Sequence, residues 1–378
     1  MPPSPRRARL AVSALFFLNG ALFGTWAARI PAFVERFALE PGALGRMLLC
    51  LAAGAILSFP LAGRLSDRIG AAGASRLLGV YHALCLPLLA LAPSTPLLAL
   101  ALLLFGAGHG AMDVAMNGWA AEVERLVKRP IMSMFHAMWS LGAGIGALTG
   151  GGAVALGLMP LAHFTLVALV FGALTLGLAL IRWDSTRSPA VPGFALPSRS
   201  LILVGFVALC SSLGEGAMAD WSAVFLIEIA RTDEARAALG YGTYSAAMFL
   251  ARMTAGHVIA RLGPVPTARL AGLLAFAGLV VALVGQTLAT GLAGFVLLGL
   301  GYSVVIPLAF SRAANDRVTP QGRAIAGVAT LGYGGMVLGP ALIGGIAQVL
   351  SLPAAFWLIA ALALGITLLA GSLRPDGG

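Results

Sequence analysis

The sequence predicts an all-α membrane protein with twelve transmembrane helices, arranged as two six-helix halves in parallel repeat. Three observations lead to this prediction. The chain of 378 residues is 59% hydrophobic and only 10% charged, with a mean hydropathy of +0.95, whereas soluble domains are about one quarter charged. Twelve apolar stretches are long enough to cross a bilayer, and the second half of the chain repeats features of the first at a constant spacing. This much apolar surface excludes a soluble globular protein.

The twelve spans follow from counting apolar windows between charged residues, prolines and glycines. A helix needs about 20 mostly apolar residues to cross the hydrocarbon. The predicted spans of the first half are residues 10–34, 44–64, 74–93, 96–120, 131–156 and 160–181. Those of the second half are residues 200–228, 240–262, 266–287, 291–314, 323–350 and 352–373.

The basic residues predict the orientation of these spans. With the N-terminus in the cytoplasm, 18 of the 24 Lys and Arg residues fall in cytoplasmic segments, five fall outside, and Arg252 lies within a span. An excess of Lys and Arg in short loops marks the cytoplasmic side, so both termini are expected there, in a bacterial inner membrane. Because the net charge of +10 is placed in these loops, we expect no nucleic-acid partner.

The longest polar interval separates the two halves. It predicts a cytoplasmic linker at residues 182–199 between an N-terminal half, 1–181, and a C-terminal half, 200–378. The basic N-terminus resembles the start of a signal peptide, but no small-residue cleavage site follows, so we interpret it as a retained first span. The three cysteines are odd in number and lie in apolar runs, which indicates core residues and no metal site.

An internal repeat connects four separated regions of the two halves. A shift of 193 residues places Gly63, Arg68 and Gly70 on Gly256, Arg261 and Gly263. The same shift superimposes the pair Arg76-Leu77 and two groups of glycines: Arg76-Leu77 on Arg269-Leu270, Gly106 and Gly108 on Gly299 and Gly301, and Gly142, Gly146, Gly151 and Gly152 on Gly335, Gly339, Gly344 and Gly345. Four regions at one spacing indicate a duplicated six-helix unit.

The stretch GRLSDRIG, residues 63–70, resembles the G-x-L-x-D-R-x-G signature of the major facilitator superfamily, and a weaker copy lies between spans eight and nine. The resemblance covers the whole chain, with its twelve spans and central linker. NGALFGTWAARIP in span one, DVAMN in span four and GEGAMADWS in span seven resemble, more narrowly, the fucose-permease-like and YbjJ-like bacterial branch. The resemblance implies the twelve-helix fold of that superfamily.

The signature predicts a cytoplasmic gate. Gly63 and Gly70 allow a tight reversal between spans two and three, and Asp67 is placed to accept hydrogen bonds from a helix N-terminus. The resemblance implies that Asp67 bridges to the start of span eleven near Arg323, that Arg68 pairs locally, and that Arg261 marks the second copy. That copy has Ala260 where the Asp would stand, so we expect one latch. The alternative is that Asp67 and Arg68 are solvated loop charges.

Few ionisable residues lie inside the predicted spans, and such residues are costly in hydrocarbon. His109, Asp113 and Asn117 follow an i, i+4, i+8 spacing on span four and share one helical face. Glu215 lies near the middle of span seven. A carboxylate in a low dielectric takes up a proton more readily than one in water, so we expect Asp113 first, Glu215 second, and His109 as a partner of Asp113, to couple transport to protons.

Five further residues are candidates for binding a solute: Asn19, Trp26, Asn117, Asp220 and Trp221. The resemblance implies that spans one, four, seven and ten line the cavity, and all the candidates lie on three of these spans. Two alternatives stay open. The buried acids can accept hydrogen bonds between helices without touching a solute, and tryptophans commonly anchor helices at the bilayer surface.

The function implied by the resemblance is secondary transport of a small polar solute, a sugar or related metabolite, by alternating access coupled to protons. We expect a monomer in the lipid bilayer, without cofactors or metal. One alternative is a proton-driven exporter of drugs or metabolites, and another is a membrane sensor that does not transport. No nucleophile with a base, metal-ligand set or phosphate loop is evident, so an enzyme is not expected.

Overall fold

The computed structural model describes residues 4–128, 131–185 and 196–374, and within these ranges the ordered elements are all helices. The predicted fold class is confirmed. The first half contains α1 (Pro5–Phe37), α2 (Pro41–Ile69), α3 (Ala71–Leu91), α4 (Thr95–Val127), α5 (Met132–Ala155) and α6 (Pro160–Ala179). Proline at the first turn of α1, α4 and α6 suits a helix start, because that position needs no backbone donor.

The second half contains α7 (Ile202–Glu228), α8 (Glu234–Ala237), α9 (Leu239–Leu262), α10 (Pro264–Gly285), α11 (Leu288–Tyr302), α12 (Val305–Ala314), α13 (Gln321–Val349) and α14 (Leu352–Leu369). The short α8 is absent from the predicted spans. The tenth predicted span is divided between α11 and α12, with residues 303–304 between them.

Ten helical stretches among the described residues are long and apolar enough to cross a membrane, with Leu288–Ala314 counted as one. The two predicted spans outside this set correspond to α5 and α9. Glycines and polar residues fill much of α5, and α9 carries Arg252 and Arg261. These residues interrupt the long apolar windows that mark the other ten stretches.

The motif GRLSDRIG is not a loop. Residues 63–69 form the last two turns of α2, and the chain reverses at Gly70 alone, which has φ +81°. Gly63 therefore does not contribute to the reversal. A positive φ favours glycine because it has no Cβ to clash with the backbone. The N-terminus of α3 is capped by Ser185, whose Oγ accepts a hydrogen bond from the Ala72 N–H at 3.1 Å.

Matching backbone geometry supports the internal repeat. Gly263 precedes α10 with φ +81°, the same value as Gly70 before α3. Gly106 on α4 lies against the carbonyl of Leu51, and Gly299 on α11 lies against the carbonyl of Tyr244. Tyr244 is 193 residues after Leu51, so the two contacts are equivalent positions of the repeat.

Contacts divide the chain into two compact units. Unit 1 comprises residues 1–38, 50–190 and 234–242, and unit 2 comprises residues 39–49, 191–233 and 243–378. Each unit contains a short segment from the opposite half of the sequence. The predicted boundaries at 181 and 200 stay a prediction, and residues 186–195 of the predicted linker lie outside the described residues.

In unit 1, α1 packs along α5 and also contacts α4 and α6. Glycines on both helices allow a close approach: Gly20 lies against the Trp139 carbonyl, Gly24 against that of Ala143, Gly142 against that of Phe17 and Gly146 against that of Ala21. Small residues allow helices to approach closely in lipid. In unit 2, α7 and α13 pack in the equivalent way.

Two arginines close the C-terminal ends of neighbouring helices in unit 1. Arg36 donates hydrogen bonds to the carbonyls of Ala90 and Ala92 at 2.8 and 2.9 Å, at the end of α3. Arg76 donates to the carbonyls of Ala179 and Ile181 at 2.9 and 2.6 Å, at the end of α6. The last carbonyls of a helix lack partners within the helix, so each guanidinium satisfies two of these orphan acceptors.

The connection between α12 and α13 is held by Asp316. Its Oδ1 lies 3.1 Å from Arg312 Nη1, and its Oδ2 accepts a hydrogen bond from the Thr319 backbone N–H at 2.9 Å. Burial opposes ionisation of Asp316, but the hydrogen bonds from Thr319 and the nearby Arg312 hold its pKa below the ordinary value. The ionised form of Asp316 therefore stabilises this turn.

Replacing Gly106 with Val is expected to destabilise the protein by about 1–3 kcal/mol, since the added Cβ would overlap the Leu51 carbonyl and force α2 and α4 apart. The measurement is the thermal unfolding midpoint in detergent. Gly177→Ala on α6 is the control, because a Cβ there meets no atom within 4 Å. Equal midpoints for both variants would contradict the proposed close contact.

Replacing Asp316 with Asn is expected to lower the unfolding midpoint at neutral pH. Because the folded pKa is lowered, the stabilisation by Asp316 is fully present above the unfolded pKa of about 3.9 and is lost as the pH falls through the folded value. The difference between wild type and variant should therefore be constant from pH 7 to about pH 5 and shrink in stronger acid. A difference that grows on acidification would refute this assignment; Asp184→Asn serves as the control.

Candidate functional site

Asp113 and Asn117 on α4 form a hydrogen-bonded pair in unit 1. Asn117 Nδ2 donates hydrogen bonds to the backbone carbonyl of Asp113 at 2.9 Å and to its carboxylate Oδ1 at 3.1 Å. Both side chains are half-buried. None of the ion pairs among the described residues involves Asp113. Among the described residues, the Asp113 carboxylate therefore accepts a hydrogen bond from a neutral amide and forms no ion pair.

Asn19 joins three helices. Its Nδ2 donates a hydrogen bond to the backbone carbonyl of His109 at 3.1 Å, and its Oδ1 accepts one from the indole N–H of Trp139 at 2.8 Å. The residue is completely buried. Since both ends of the amide are engaged, Asn19 fixes the orientation of Trp139; direct contact of Asn19 with a solute stays a prediction.

Trp139 is the aromatic residue that the sequence analysis did not select. Its ring lies 6.1 Å from that of Phe23 and 6.3 Å from that of His109, and the residue is half-buried. Tyr241, at the start of α9, lies 6.3 Å from Phe23. Trp139 thus has a fixed orientation and partial exposure, the two properties that a stacking surface needs. Its proximity to Asn19 depends on how α1 and α5 pack.

Two histidines are buried next to each other in unit 1. The ring of His82 on α3 lies 5.5 Å from that of His109 and 4.6 Å from that of Phe105. Both ring nitrogens of His82, and Nδ1 of His109, lack a hydrogen-bond partner among the described residues. The His109 ring thus packs against the rings of His82, Phe23 and Trp139. No hydrogen bond of the described chain joins it to Asp113. Its expected role as a proton relay stays a prediction.

The acid on α7 has a different environment, in unit 2. Glu215 Oε2 lies 3.6 Å from Nη2 of Arg252 on α9, and Glu215 Oε1 accepts a hydrogen bond from the Ser211 hydroxyl at 3.1 Å. The Arg252 side chain is 12% exposed. Arg252 therefore turns towards a carboxylate within the unit. The opposite charge offsets much of the cost of placing Glu215 in the membrane.

The remaining candidates for solute binding are largely enclosed. Trp26 and Trp221 are each 1% exposed, and Asp220 is 9% exposed. Trp26 packs edge-on against Phe33, with ring centroids 5.0 Å apart. Neither tryptophan presents an open face in this structure, and their enclosure also argues against anchoring at the bilayer surface. Contact of these three residues with a solute stays a prediction.

The predicted gate residues lie at helix ends. Asp67 is half-buried and Arg68 is exposed in the last turns of α2, while Arg261 is exposed near the end of α9 and Arg323 is exposed in the first turn of α13. The bridge from Asp67 to the start of α13 stays a prediction. For the N-terminus of α3, the structure provides Ser185 as the hydrogen-bond acceptor, a residue that the motif does not include.

Metal chemistry has no support in the described part of the chain, where no group of three or more His, Cys, Asp or Glu residues could hold an ion. The thiols of Cys85 and Cys210 are buried, and that of Cys50 is half-buried. The chemistry available to the two units is therefore hydrogen bonding, aromatic stacking and proton transfer at carboxylates.

Comparisons with known proteins agree with this architecture. The sequence model of the Major Facilitator Superfamily matches residues 10–311. An uncharacterized transporter of Sinorhizobium fredii, y4wD, is 46% identical over 96% of this chain and 97% of its own length. An uncharacterized MFS-type transporter of Yersinia pestis is 35% identical over 93% and 92%. The crystal structure of the nucleoside transporter NupG superimposes with a TM-score of 0.71 at 14% identity, covering 97% of this chain and 98% of NupG.

Replacing Asn19 with Leu is expected to destabilise the protein by about 1–3 kcal/mol, because the buried indole N–H of Trp139 loses its acceptor. Adding Trp139→Phe should then cost little, since no donor remains to be satisfied. Unfolding midpoints of the single and double variants measure this coupling. Asn315→Leu, at an exposed asparagine, is the control. Additive losses from the two substitutions would show that the hydrogen bond does not link them.

Proposed function

The chain belongs to the Major Facilitator Superfamily, and on that premise we propose that it is a secondary active transporter that moves a small polar solute, such as a sugar or related metabolite, by alternating access coupled to protons. Membership is shown by the family match over residues 10–311 and by relatives that are themselves called transporters. The chain is therefore a multi-pass membrane transporter of this type and not an enzyme. The solute, the coupling and the direction are the parts proposed here.

The solute site that we propose lies in unit 1, on the face formed by Asp113, Asn117 and Trp139. A sugar presents hydroxyl groups and a weakly apolar ring face. Carboxylate and amide groups pair with hydroxyls, while an indole ring stacks on the ring face. The supporting geometry is the half-buried Asp113 and Asn117 pair, together with a Trp139 ring that Asn19 holds in place.

The observation that carries the proton proposal is the contrast between the surroundings of Asp113 and those of Glu215. Glu215 lies beside Arg252, and this opposite charge favours its ionised form. Asp113 receives only neutral hydrogen bonds among the described residues. A carboxylate in a low dielectric without a cation is the group that gains most from taking up a proton. We therefore assign proton coupling to Asp113 first, with Glu215 as the second acid.

Location and subfamily are further parts of the proposal. The arginine distribution favours a bacterial inner membrane with both termini in the cytoplasm. The motifs of spans one, four and seven favour the fucose-permease-like and YbjJ-like branch. Asp67 is the proposed latch of the cytoplasmic gate, with Arg323 near its target. We propose a monomer, because each unit contains its own polar groups.

The test is solute-dependent proton flux in vesicles containing the purified full-length chain, with sugars and related metabolites as the screened solutes. Asp113→Asn is expected to reduce proton movement about 10²-fold or more, as is typical when a proton-transferring group is lost, while solute exchange continues. Glu215→Gln should lower both, because it removes the negative charge that lies 3.6 Å from the Arg252 guanidinium inside unit 2.

Asp184→Asn, in the described part of the connection after α6, is the matched control and should behave as wild type. Proton flux unchanged by Asp113→Asn, with solute still moving, would refute the assignment of Asp113. The sign of the proton gradient that drives net solute movement distinguishes uptake from export. Solute binding without any movement would overturn the transport proposal in favour of a sensor.

A further inference from the structure

Each compact unit contains one short segment whose chain neighbours on both sides belong to the other unit. Among the described contacts, one of these two segments forms an ion pair with its unit. Residues 234–242, here called the first docked segment, pack in unit 1 although their neighbours on both sides, 191–233 and 243–378, belong to unit 2. Residues 39–49, the second docked segment, pack in unit 2 although 1–38 and 50–190 belong to unit 1. Each of these segments therefore packs with one unit while its chain neighbours on both sides belong to the other.

Small residues hold both segments against a glycine-rich helix. In unit 1, Gly151 on α5 lies against the Ala235 carbonyl, and Gly150 lies near Ala238. In unit 2, Gly344 on α13 lies against the Pro41 carbonyl, and Gly45 lies against the Pro340 carbonyl. Gly344 is 193 residues after Gly151, so the two contacts are related by the internal repeat.

An ion pair distinguishes the first docked segment. Arg29 Nε lies 3.2 Å from Glu234 Oε1, and Arg29 Nη1 donates a hydrogen bond to the Leu158 carbonyl at 3.2 Å. The Arg29 side chain is 4% exposed and that of Glu234 is 25% exposed. Removing one member of such a pair is costly, because the other charge stays buried without its counter-ion.

The equivalent positions of the second docked segment cannot form this pair. The repeat places Ser222 at the position of Arg29 and Pro41 at the position of Glu234. The contact described there is instead neutral: the Gly42 backbone N–H donates to Gln348 Oε1 at 3.1 Å. Among the described contacts of the two segments, that of residues 234–242 includes an ion pair and that of residues 39–49 a neutral hydrogen bond.

We propose that the Arg29–Glu234 ion pair is a latch that holds the first docked segment on unit 1. The ion pair must break when this segment leaves unit 1 during the transport cycle. The two charges lie close together, but Arg29 Nε and Glu234 Oε1 do not form an aligned hydrogen bond. A pair of this kind depends on the approach of two charges and loses its energy when the segment moves away. None of the ion pairs described for the chain involves residues 39–49.

The latch is tested by the accessibility of Ala238, a residue of the first docked segment that faces Gly150 of α5 and is 1% exposed. The full-length chain has Cys50, Cys85 and Cys210 replaced by Ala and carries Ala238→Cys. The measured quantity is its rate of labelling by a water-soluble maleimide in detergent. Glu234→Gln is expected to increase this rate about tenfold, because it weakens the docked state. Glu40→Gln, which removes an exposed acid within the second docked segment, is the control and should leave the rate unchanged.

A double-mutant cycle makes the test specific for the pair. If Arg29 and Glu234 interact, Glu234→Gln adds no further increase to a chain that already carries Arg29→Gln. Equal labelling rates for Glu234→Gln and Glu40→Gln would overturn the proposal, and so would independent, multiplicative increases in the cycle. Labelling needs no solute, so the latch can stand or fall separately from the proton flux that tests the transport proposal.

Discussion

The close approach of α1 and α5 is the contact on which the candidate site of unit 1 depends. Helices in lipid gain little from burying apolar surface, so their association relies on packing distance. Gly20 and Gly24 meet carbonyls of α5, while Gly142 and Gly146 meet carbonyls of α1. This reciprocal contact brings the chain at Trp139 next to Asn19, and only at that distance can the indole donate its hydrogen bond. The orientation of the Trp139 ring therefore depends on the glycines of α1 and α5, which have no side chains to hold the two helices apart.

The internal repeat applies to the backbone and not to the polar residues. Gly70 and Gly263 have the same φ, and Gly106 and Gly299 make equivalent contacts. The functional candidates have no such counterparts: the shift of 193 residues places Ile306 at the position of Asp113 and Leu22 at that of Glu215. Arg252 likewise corresponds to Phe59. One scaffold thus supports two electrostatic solutions, a carboxylate with a neutral amide in unit 1 and an ion pair in unit 2.

The fold could be predicted because the bilayer sets the length and polarity of each span, and the helix bounds agree with the predicted spans to within a few residues in most cases. The helical conformation of Gly63 was not predictable, since a hydrophilic stretch resembles a loop whether or not its last turns leave the hydrocarbon. Asp113 and Glu215 were identifiable from the cost of burying charge. Asn117 as the partner of Asp113 was identifiable from the spacing on one helix, whereas Arg252 as the partner of Glu215 was not, because composition does not give the rotation of one helix against another. For the same reason Trp139 was not selected, while Trp26 and Trp221, which are enclosed, were.

The arginines that cap helix ends bear on how the charge pattern of this chain is interpreted. Arg36 lies on the side that the arginine count assigns to the exterior, where basic residues are disfavoured. Its guanidinium is committed to two carbonyls of α3, and Arg29 on the same side contacts Glu234 and the Leu158 carbonyl. These cations are part of the folded bundle, so they are weak evidence against the assigned orientation. The planar fork also explains the chemistry of the choice. A lysine carries the same formal charge on a single ammonium group. In place of Arg36 it would leave the count of basic residues unchanged, but it could not reproduce the two-pronged contact with the last carbonyls of α3. In this chain, which has one lysine, arginine supplies both the charge count from which the orientation is predicted and the side chains that cap helix ends.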